Sequence, residues 1–374
     1  MRLSASLLFL FLQVAAFSQT VFIKNLENQN LCGENYDSET NTVVFKPRKD
    51  SLNTCAVWFY FGMTGFRKDT VLTFQGKFDE SNFTPCLPVY SYDNEHFFPV
   101  KNASHGKRLL VRIKPEKDTV YFATGFPYSY SRLKKFLGEN SESKNLRKTE
   151  NLDTSSKFYV PLLTITSQKD SRKKRLVWII CRQHAFESVA DYVLEGMLKY
   201  LLSENCDKKL LKRYVFKIVP LFDAESVVSG QTGRMSKPRD YNRDWDSPVR
   251  SRTQCIEKQI EKTAGEYNYF MFFDVHGTYP CGSLSGKENF SYFDLQGNFH
   301  KSAALNKYFS MISSVSFRSI ADSQQSYGGL TADWWNFLNF KELKFSTTVE
   351  IDWVENIETY YKIGEEMIKA LRQF

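Results

Sequence analysis

The chain has 374 residues, 42% of them hydrophobic, 16% aromatic and 25% charged, with a formal net charge of +8. That apolar mass excludes a collagen-like, mucin-like or largely disordered chain and suits about two or three packed domains. The cations are dispersed apart from small knots such as Arg172–Arg175, with no basic stripe interleaved with stacking aromatics, so no nucleic-acid partner is expected.

Residues 1–18 combine Arg2, the apolar run Leu7–Leu12 and the small residues Ala16 and Ser18. This is the pattern of a secretory signal cut before Gln19, with an uncleaved anchor as the alternative. The run falls short of the ~20 apolar residues of a membrane span. No later segment could span a bilayer, so no stable membrane insertion is expected after cleavage, and the mature chain is read as secreted or periplasmic. The seven cysteines suit such a compartment, although an odd count leaves at least one unpaired. Cys181 ends an apolar run and reads as a buried thiol. Asn82, Asn102 and Asn289 open glycosylation sequons.

Over residues 19–137 short runs rich in β-branched and aromatic residues alternate with turn residues. Thr42–Phe45, Ala56–Phe61, Val71–Phe74, Arg108–Ile113 and Thr119–Ala123 read as strands of an all-β antiparallel sandwich. The polar stretch 138–157 reads as a linker. Over 158–374 the rhythm changes. Leu176–Ile180, Val215–Val219, Tyr269–Phe273 and Phe345–Ile351 are continuous apolar runs, as buried strands are. Between and after them, Phe186–Leu201, Ile256–Ala264 and Ile357–Arg372 carry helical periodicity. Strands alternating with helices imply an α/β domain with helices on both faces of its sheet.

Of the five histidines, two lie just beyond predicted buried strands, where open α/β sheets place their ligands. His184-x-x-Glu187 sets an imidazole and a carboxylate one turn apart, and His276 follows Phe270–Phe273. Two imidazoles and one carboxylate form a natural zinc set with a fourth position open. The pair alone is a common spacing. It gains weight from a polar loop reaching Arg234, from Asp240–Trp245, and from Glu350 in an otherwise apolar strand, where a carboxylate is costly unless paired or functional.

These features in this order resemble the zinc metallocarboxypeptidases. The similarity is greatest to the cytosolic-carboxypeptidase branch, which has a β-sandwich before its mixed-sheet peptidase domain. Trp58–Phe61 and Thr124–Leu133 resemble strings of that branch's first domain. Arg182–Ser188 resembles its His-Pro-Gly-Glu-Ser/Thr metal motif, and Tyr241–Trp245 its Leu-Asn-Arg-x-Trp string. The resemblance implies one Zn²⁺ per chain on His184, Glu187 and His276, with Asp240 on the other nitrogen of His184. It implies Glu350 as general base toward the zinc-activated water and then proton donor to the leaving amine. Arg234 would polarise the scissile carbonyl and stabilise the oxyanion. Asn242 and Arg243 would clamp the free carboxylate of a peptide or protein C-terminus, the substrate, and Tyr327 is the nearest candidate for the capping tyrosine.

This sequence departs from the family at Ala185-Phe186, in place of Pro-Gly, and at Asp223–Ser226, in place of Asn-Pro-Asp-Gly. Leu330–Trp335, where the branch's specificity pocket would lie, holds no Lys or Arg, which argues against removal of acidic residues. Asp333 there reads either as an attractor of basic terminal side chains or as a structural carboxylate. A non-catalytic binding protein on the same scaffold and a related zinc amidase are the alternative functions.

Overall fold

A computed structural model describes residues 21–49, 56–78, 87–101, 103, 108–167, 173–280, 290–295, 299–323 and 328–374. The signal reading at 1–18, Cys55, Cys86, Cys281, the three sequon asparagines and Tyr327 lie outside the described residues.

Thr42–Lys46 and Leu72–Lys77 bury alternate side chains, as strands with one dry face do. They belong to a first part made of β1 (Val21–Ile23), β2 (Cys32–Asp37), β3 (Thr42–Lys46), β4 (Tyr60–Thr64), β5 (Leu72–Lys77), β6 (Val89–Ser91), β7 (Phe97–Pro99), β8 (Arg108–Ile113) and β9 (Thr119–Ala123). One sheet has the order β1-β4-β9-β6-β7 and the other β2-β3-β5-β8. Phe45 and Phe74 from the second sheet meet Phe61 and Phe122 from the first, all at most 1% exposed. Phe74 stacks on Phe122 with centroids 4.3 Å apart, and Phe45 meets Phe61 at 5.1 Å. The aromatic excess of the composition is thus partly spent on the sandwich core, where such pairs add to area burial. Among the described residues the pairing departs from a purely antiparallel sandwich where β3 and β5 run parallel. The intervening chain crosses to supply β4 to the opposite sheet and re-enters in the same direction.

The second part holds α1 (Tyr130–Glu139), β10 (Leu146–Asn151), β11 (Pro161–Ile165), β12 (Arg175–Cys181), α2 (Val189–Leu202), α3 (Lys208–Arg213), β13 (Tyr214–Val219), α4 (Ala224–Ser229), α5 (Ser251–Glu266) and β14 (Asn268–Gly277). It continues with β15 (Ser291–Leu295), α6 (Phe299–Phe309), β16 (Arg318–Asp322), α7 (Ala332–Asn339), β17 (Phe345–Ile351) and α8 (Ile357–Ala370). Its mixed sheet has the order β10-β11-β13-β12-β14-β17-β15-β16. The central strands β13, β12, β14 and β17 are mutually parallel, with antiparallel partners outside them. The linker expected at 138–157 is corrected here. It contains the end of α1 and all of β10, which pairs antiparallel with β11. An edge strand needs only one dry neighbour, so a polar composition suffices for it.

The Thr124–Leu133 string seats the two parts on each other: the Thr124 hydroxyl accepts from the Phe59 amide at 2.7 Å, and the Pro127 carbonyl accepts from the Tyr192 hydroxyl of α2 at 2.8 Å. Ser129 caps α1 by accepting from the Arg132 amide at 3.0 Å, and Arg132 pairs with Glu195 of α2 at 3.1 Å. Behind the sheet, α2 and α8 approach through glycines. A Cβ on Gly364 would lie 1.9 Å from the Val193 carbonyl, and one on Gly196 would lie 2.3 Å from that of Tyr361. Gly364→Ala should therefore lower the unfolding free energy by about 1–3 kcal/mol, read as a fall in the urea midpoint. An unchanged midpoint would mean that the helices separate without cost.

Candidate active site

Parallel strands bring their carboxyl ends to one edge, and the chain that follows β12, β14 and β17 meets there. After β12, Arg182 takes a left-handed conformation (φ 66°) that turns the loop over. Its fully buried guanidinium donates to the Ala185 carbonyl from Nε at 2.8 Å and pairs with Asp191 of α2. A buried cation held by a carboxylate and a carbonyl makes a rigid bracket for the loop bearing His184 and Glu187. The replacement of Pro-Gly by Ala185-Phe186 is accommodated within it.

Both oxygens of the buried Glu187 are used. Oε1 lies 2.8 Å from His184 Nδ1, and Oε2 lies 2.8 Å from His276 Nδ1 and accepts from the Gly277 amide at 3.2 Å. Donor atoms of His184, Glu187 and His276 all fall within 4.8 Å of one another. Each imidazole meets a second carboxylate through Nε2: His184 meets Asp240 at 3.0 Å and His276 meets Asp274 at 2.9 Å. Asp240 also opens the short 3₁₀ turn Tyr241–Arg243, accepting from the Asn242 amide at 2.9 Å and the Met235 amide at 2.7 Å.

Burial alone would discharge both imidazoles, but the carboxylates outweigh it. His184 is raised to about 9, chiefly by Asp240 and then Glu187, and His276 is raised well above its usual range by Asp274 and Glu187. Burial pushes the Glu187 carboxyl up, yet the two imidazoles pull it down to about 2. Three buried or near-buried carboxylates around two imidazoles call for positive charge at their centre, and a divalent cation supplies it without protons. Asp274 adds a buried oxygen, Oδ1, that lacks a hydrogen-bond partner. Two nitrogens and a carboxylate at this separation fit the donor preference of zinc.

Glu350 is the register partner of His276 across β14 and β17 and is half-buried. Burial, then the charge of Glu187, raises its carboxyl to about 7 against the pull of His276, His184 and Arg234. Arg234 lies over the Tyr279 ring at 4.7 Å. Arg243 donates to the Asn242 carbonyl at 2.6 Å, and the Asn242 side-chain oxygen accepts from the Ala332 amide at 3.3 Å. Glu350, Arg234, Asn242, Arg243 and the three zinc-type donors all line one cavity of about 400 Å³.

Comparison with known proteins agrees with this geometry. The family model for zinc carboxypeptidases matches residues 153–268, and that for the cytosolic carboxypeptidase N-terminal domain matches 33–124. The chain belongs to the zinc carboxypeptidase family. The chain is 30% identical to bovine (Bos taurus) cytosolic carboxypeptidase 3 over 280 residues, 64% of this chain and 27% of that protein. It is 35% identical to human (Homo sapiens) cytosolic carboxypeptidase 1 over 238 residues, 51% of this chain and 19% of that one. The aligned region thus spans about a fifth to a quarter of these relatives. The fold matches a metallo-carboxypeptidase from Burkholderia cenocepacia with a TM-score of 0.81, at 22% identity over 95% of this chain and 98% of that one. A Pseudomonas aeruginosa metallo-carboxypeptidase bound to (2-guanidinoethylmercapto)succinic acid gives 0.79, at 17% identity over 94% and 98%.

The carboxypeptidase match to 153–268 stops short of His276 and Glu350, which the sheet register brings back to the site. Two expectations are corrected. Export is overturned, because the matched relatives and the N-terminal family model are those of cytosolic carboxypeptidases. The signal reading rested on a local pattern alone, Arg2 followed by the Leu7–Leu12 run and the small residues Ala16 and Ser18. The four described cysteines Cys32, Cys181, Cys206 and Cys255 are free. Among the described residues no helix is long and apolar enough to cross a membrane.

The second correction concerns the pocket. Leu330, Thr331 and Trp334 do line it, but so does Arg318 of β16, a basic group that no spacing in the 330–335 stretch could disclose. Asp333 is structural: its buried carboxylate accepts from the Thr331 hydroxyl at 2.5 Å, the Trp334 amide at 2.9 Å and the Thr348 hydroxyl at 2.8 Å.

Sequence reasoning also passed over Asp274. The signal was present, since a carboxylate two residues before His276 in a strand shares its face, and the argument that singled out Glu350 applies equally. Gln183 was missed as well. It donates to Asp274 at 2.6 Å and accepts from the Trp245 indole at 3.0 Å, which ties the Asn-Arg-x-Trp string to the histidine framework.

Proposed function

We propose that this chain is a zinc-dependent carboxypeptidase that removes C-terminal residues from peptides or proteins. The observation that carries the reading is the meeting of His184, Glu187 and His276 with Glu350 in register beside His276. When bound by those three residues, zinc supplies a Lewis acid that acidifies water and polarises a carbonyl. Glu350, held near neutrality by its surroundings, accepts a proton from the attacking water and passes it to the leaving amine. Arg234 stabilises the negative charge that grows on the carbonyl oxygen. Arg243 grips the terminal carboxylate, and Asn242 holds that guanidinium's turn in place. Asp240 and Asp274 keep the two imidazoles oriented and electron-rich.

A row of register partners runs across the sheet from His276 to Glu350, Ser291 and Arg318. At about 4.8 Å per strand, Arg318 starts ~10 Å beyond Glu350, the span of a terminal residue past the scissile bond. Of the carboxylates lining the same cavity, Asp322 already accepts from the Trp334 indole at 2.7 Å. This favours an acidic terminal side chain opposite Arg318.

The test is a digest of peptides read by mass spectrometry. Release of single C-terminal residues from free but not amidated peptides is expected, faster for terminal Glu than for Lys, and abolished by a chelator. Arg318→Glu should reverse the Glu–Lys order. Equal cleavage of amidated peptides would refute the exopeptidase reading, and an unchanged order in Arg318→Glu would refute the acidic preference.

A further inference from the structure

The cavity-lining Arg234 lies just beyond a helix that the β-sandwich holds. Helix α4 ends at Ser229, and the last carbonyls of a helix have no partner within it. Here three consecutive carbonyls are taken up by the first part of the chain. The Asn28 amide donates to Val228 at 3.1 Å, the Arg48 guanidinium to Ser229 at 2.9 Å, and the Asn30 side-chain amide to Gly230 at 2.7 Å.

Asn30 is buried (1% exposed) and fully committed. Its Nδ2 also reaches the Arg48 carbonyl at 3.1 Å, its Oδ1 accepts from the Arg48 amide at 2.6 Å, and its backbone bridges to Tyr60 of β4. It therefore couples the sandwich sheet rigidly to the α4 terminus. Gly230 takes φ 70°, and a Cβ there would lie 2.1 Å from the Gln29 carbonyl, so the contact leaves no slack.

The next residues carry the site. The Thr232 carbonyl accepts from the Phe186 amide in the His184–Glu187 loop at 3.2 Å, Arg234 lines the cavity, and the Met235 amide donates to Asp240 at 2.7 Å. A single seven-residue span, from Gly230 back to Val228 and on to Arg234, thus joins the sandwich to the catalytic edge. We infer that the sandwich is part of the catalytic apparatus, with Asn30 a positioning residue that sets Arg234 at the cavity. This rests on the role proposed above for Arg234. The competing view is that Thr232 and Met235 suffice, so that Asn30 contributes only to stability.

Because Asn30 would act through Arg234, the two should not be additive. Full-length, zinc-loaded protein is compared as wild type, Asn30→Ala, Arg234→Ala and the double variant, on a peptide with a free C-terminus. Asn30→Ala is expected to keep its zinc content and a KM within about twofold, and to lose about 10- to 100-fold in kcat, the scale of a small misplacement of a reacting group. On the Arg234→Ala background the same change should cost under twofold. An equal loss on both backgrounds, or a lowered Tm with unchanged kcat, overturns the inference. Amide hydrogen exchange at Phe186 and Met235 gives a readout independent of turnover. It should accelerate in Asn30→Ala, and unchanged protection there also overturns the inference. Should Arg234→Ala itself leave kcat intact, the proposed role of Arg234 fails, and the exchange result alone decides whether Asn30 positions the segment. Arg48→Ala, which removes only the exposed donor to Ser229, should show the same pattern at smaller amplitude and serves if Asn30→Ala does not fold.

Discussion

Glu350→Gln is expected to retain zinc and to lose about 10²- to 10⁴-fold in kcat, the range for removing a positioned general base. The amide keeps the shape of the carboxylate, so the half-buried site on β17 is not emptied and the register with His276 survives. What is lost is a carboxyl at the cavity edge whose surroundings raise it to about 7, where proton acceptance and donation are both accessible. Since the base must be deprotonated, wild-type kcat/KM should rise as pH increases through the Glu350 pKa. A divalent cation nearby adds positive charge and moves that limb below 7. Steady-state kinetics across pH, with zinc measured on the same samples, check both points. Near-normal turnover, or a limb that persists in Glu350→Gln, would remove Glu350 from the chemistry.

His276→Ala is expected to strip the protein of zinc. The three donors lie within 4.8 Å of one another, and losing one of two nitrogens leaves a carboxylate and an imidazole, too few to hold the ion against a chelator. Asp274→Asn separates ligation from support. The neutral amide still reaches Nε2 of His276 but no longer raises its basicity, so zinc affinity should drop by about 10- to 100-fold without vanishing. Elemental analysis after dialysis reads the first variant, and competition with a chromophoric chelator reads the second. Full zinc occupancy in His276→Ala would exclude it as a ligand, and wild-type affinity in Asp274→Asn would make Asp274 a purely structural carboxylate.

The strands bearing the site were legible because buried parallel strands are continuous apolar runs. Leu176–Ile180 and Phe345–Ile351 fall within or on β12 and β17. His184, His276 and Glu350 were legible for the same reason, as polar groups at the ends of, or inside, those runs. Polar edges were not. Leu146–Asn151 reads as linker because one exposed face removes the apolar signal, and β16 shows only partial burial along Arg318–Asp322. The reading of export failed where composition had no three-dimensional check.

The sequence alone determined the chemistry on offer: two imidazoles, a paired carboxylate, a carboxylate in an apolar strand and an Asn-Arg string, each tied to a local pattern of strand and loop. Only the tertiary structure decided which of these face one another across the sheet. Register set His276, Glu350, Ser291 and Arg318 in one row, and packing joined Asn30 to the carbonyls before Arg234. Such contacts bridge residues up to 200 positions apart, and no local periodicity records them, because they follow from how separate strands and domains are laid side by side.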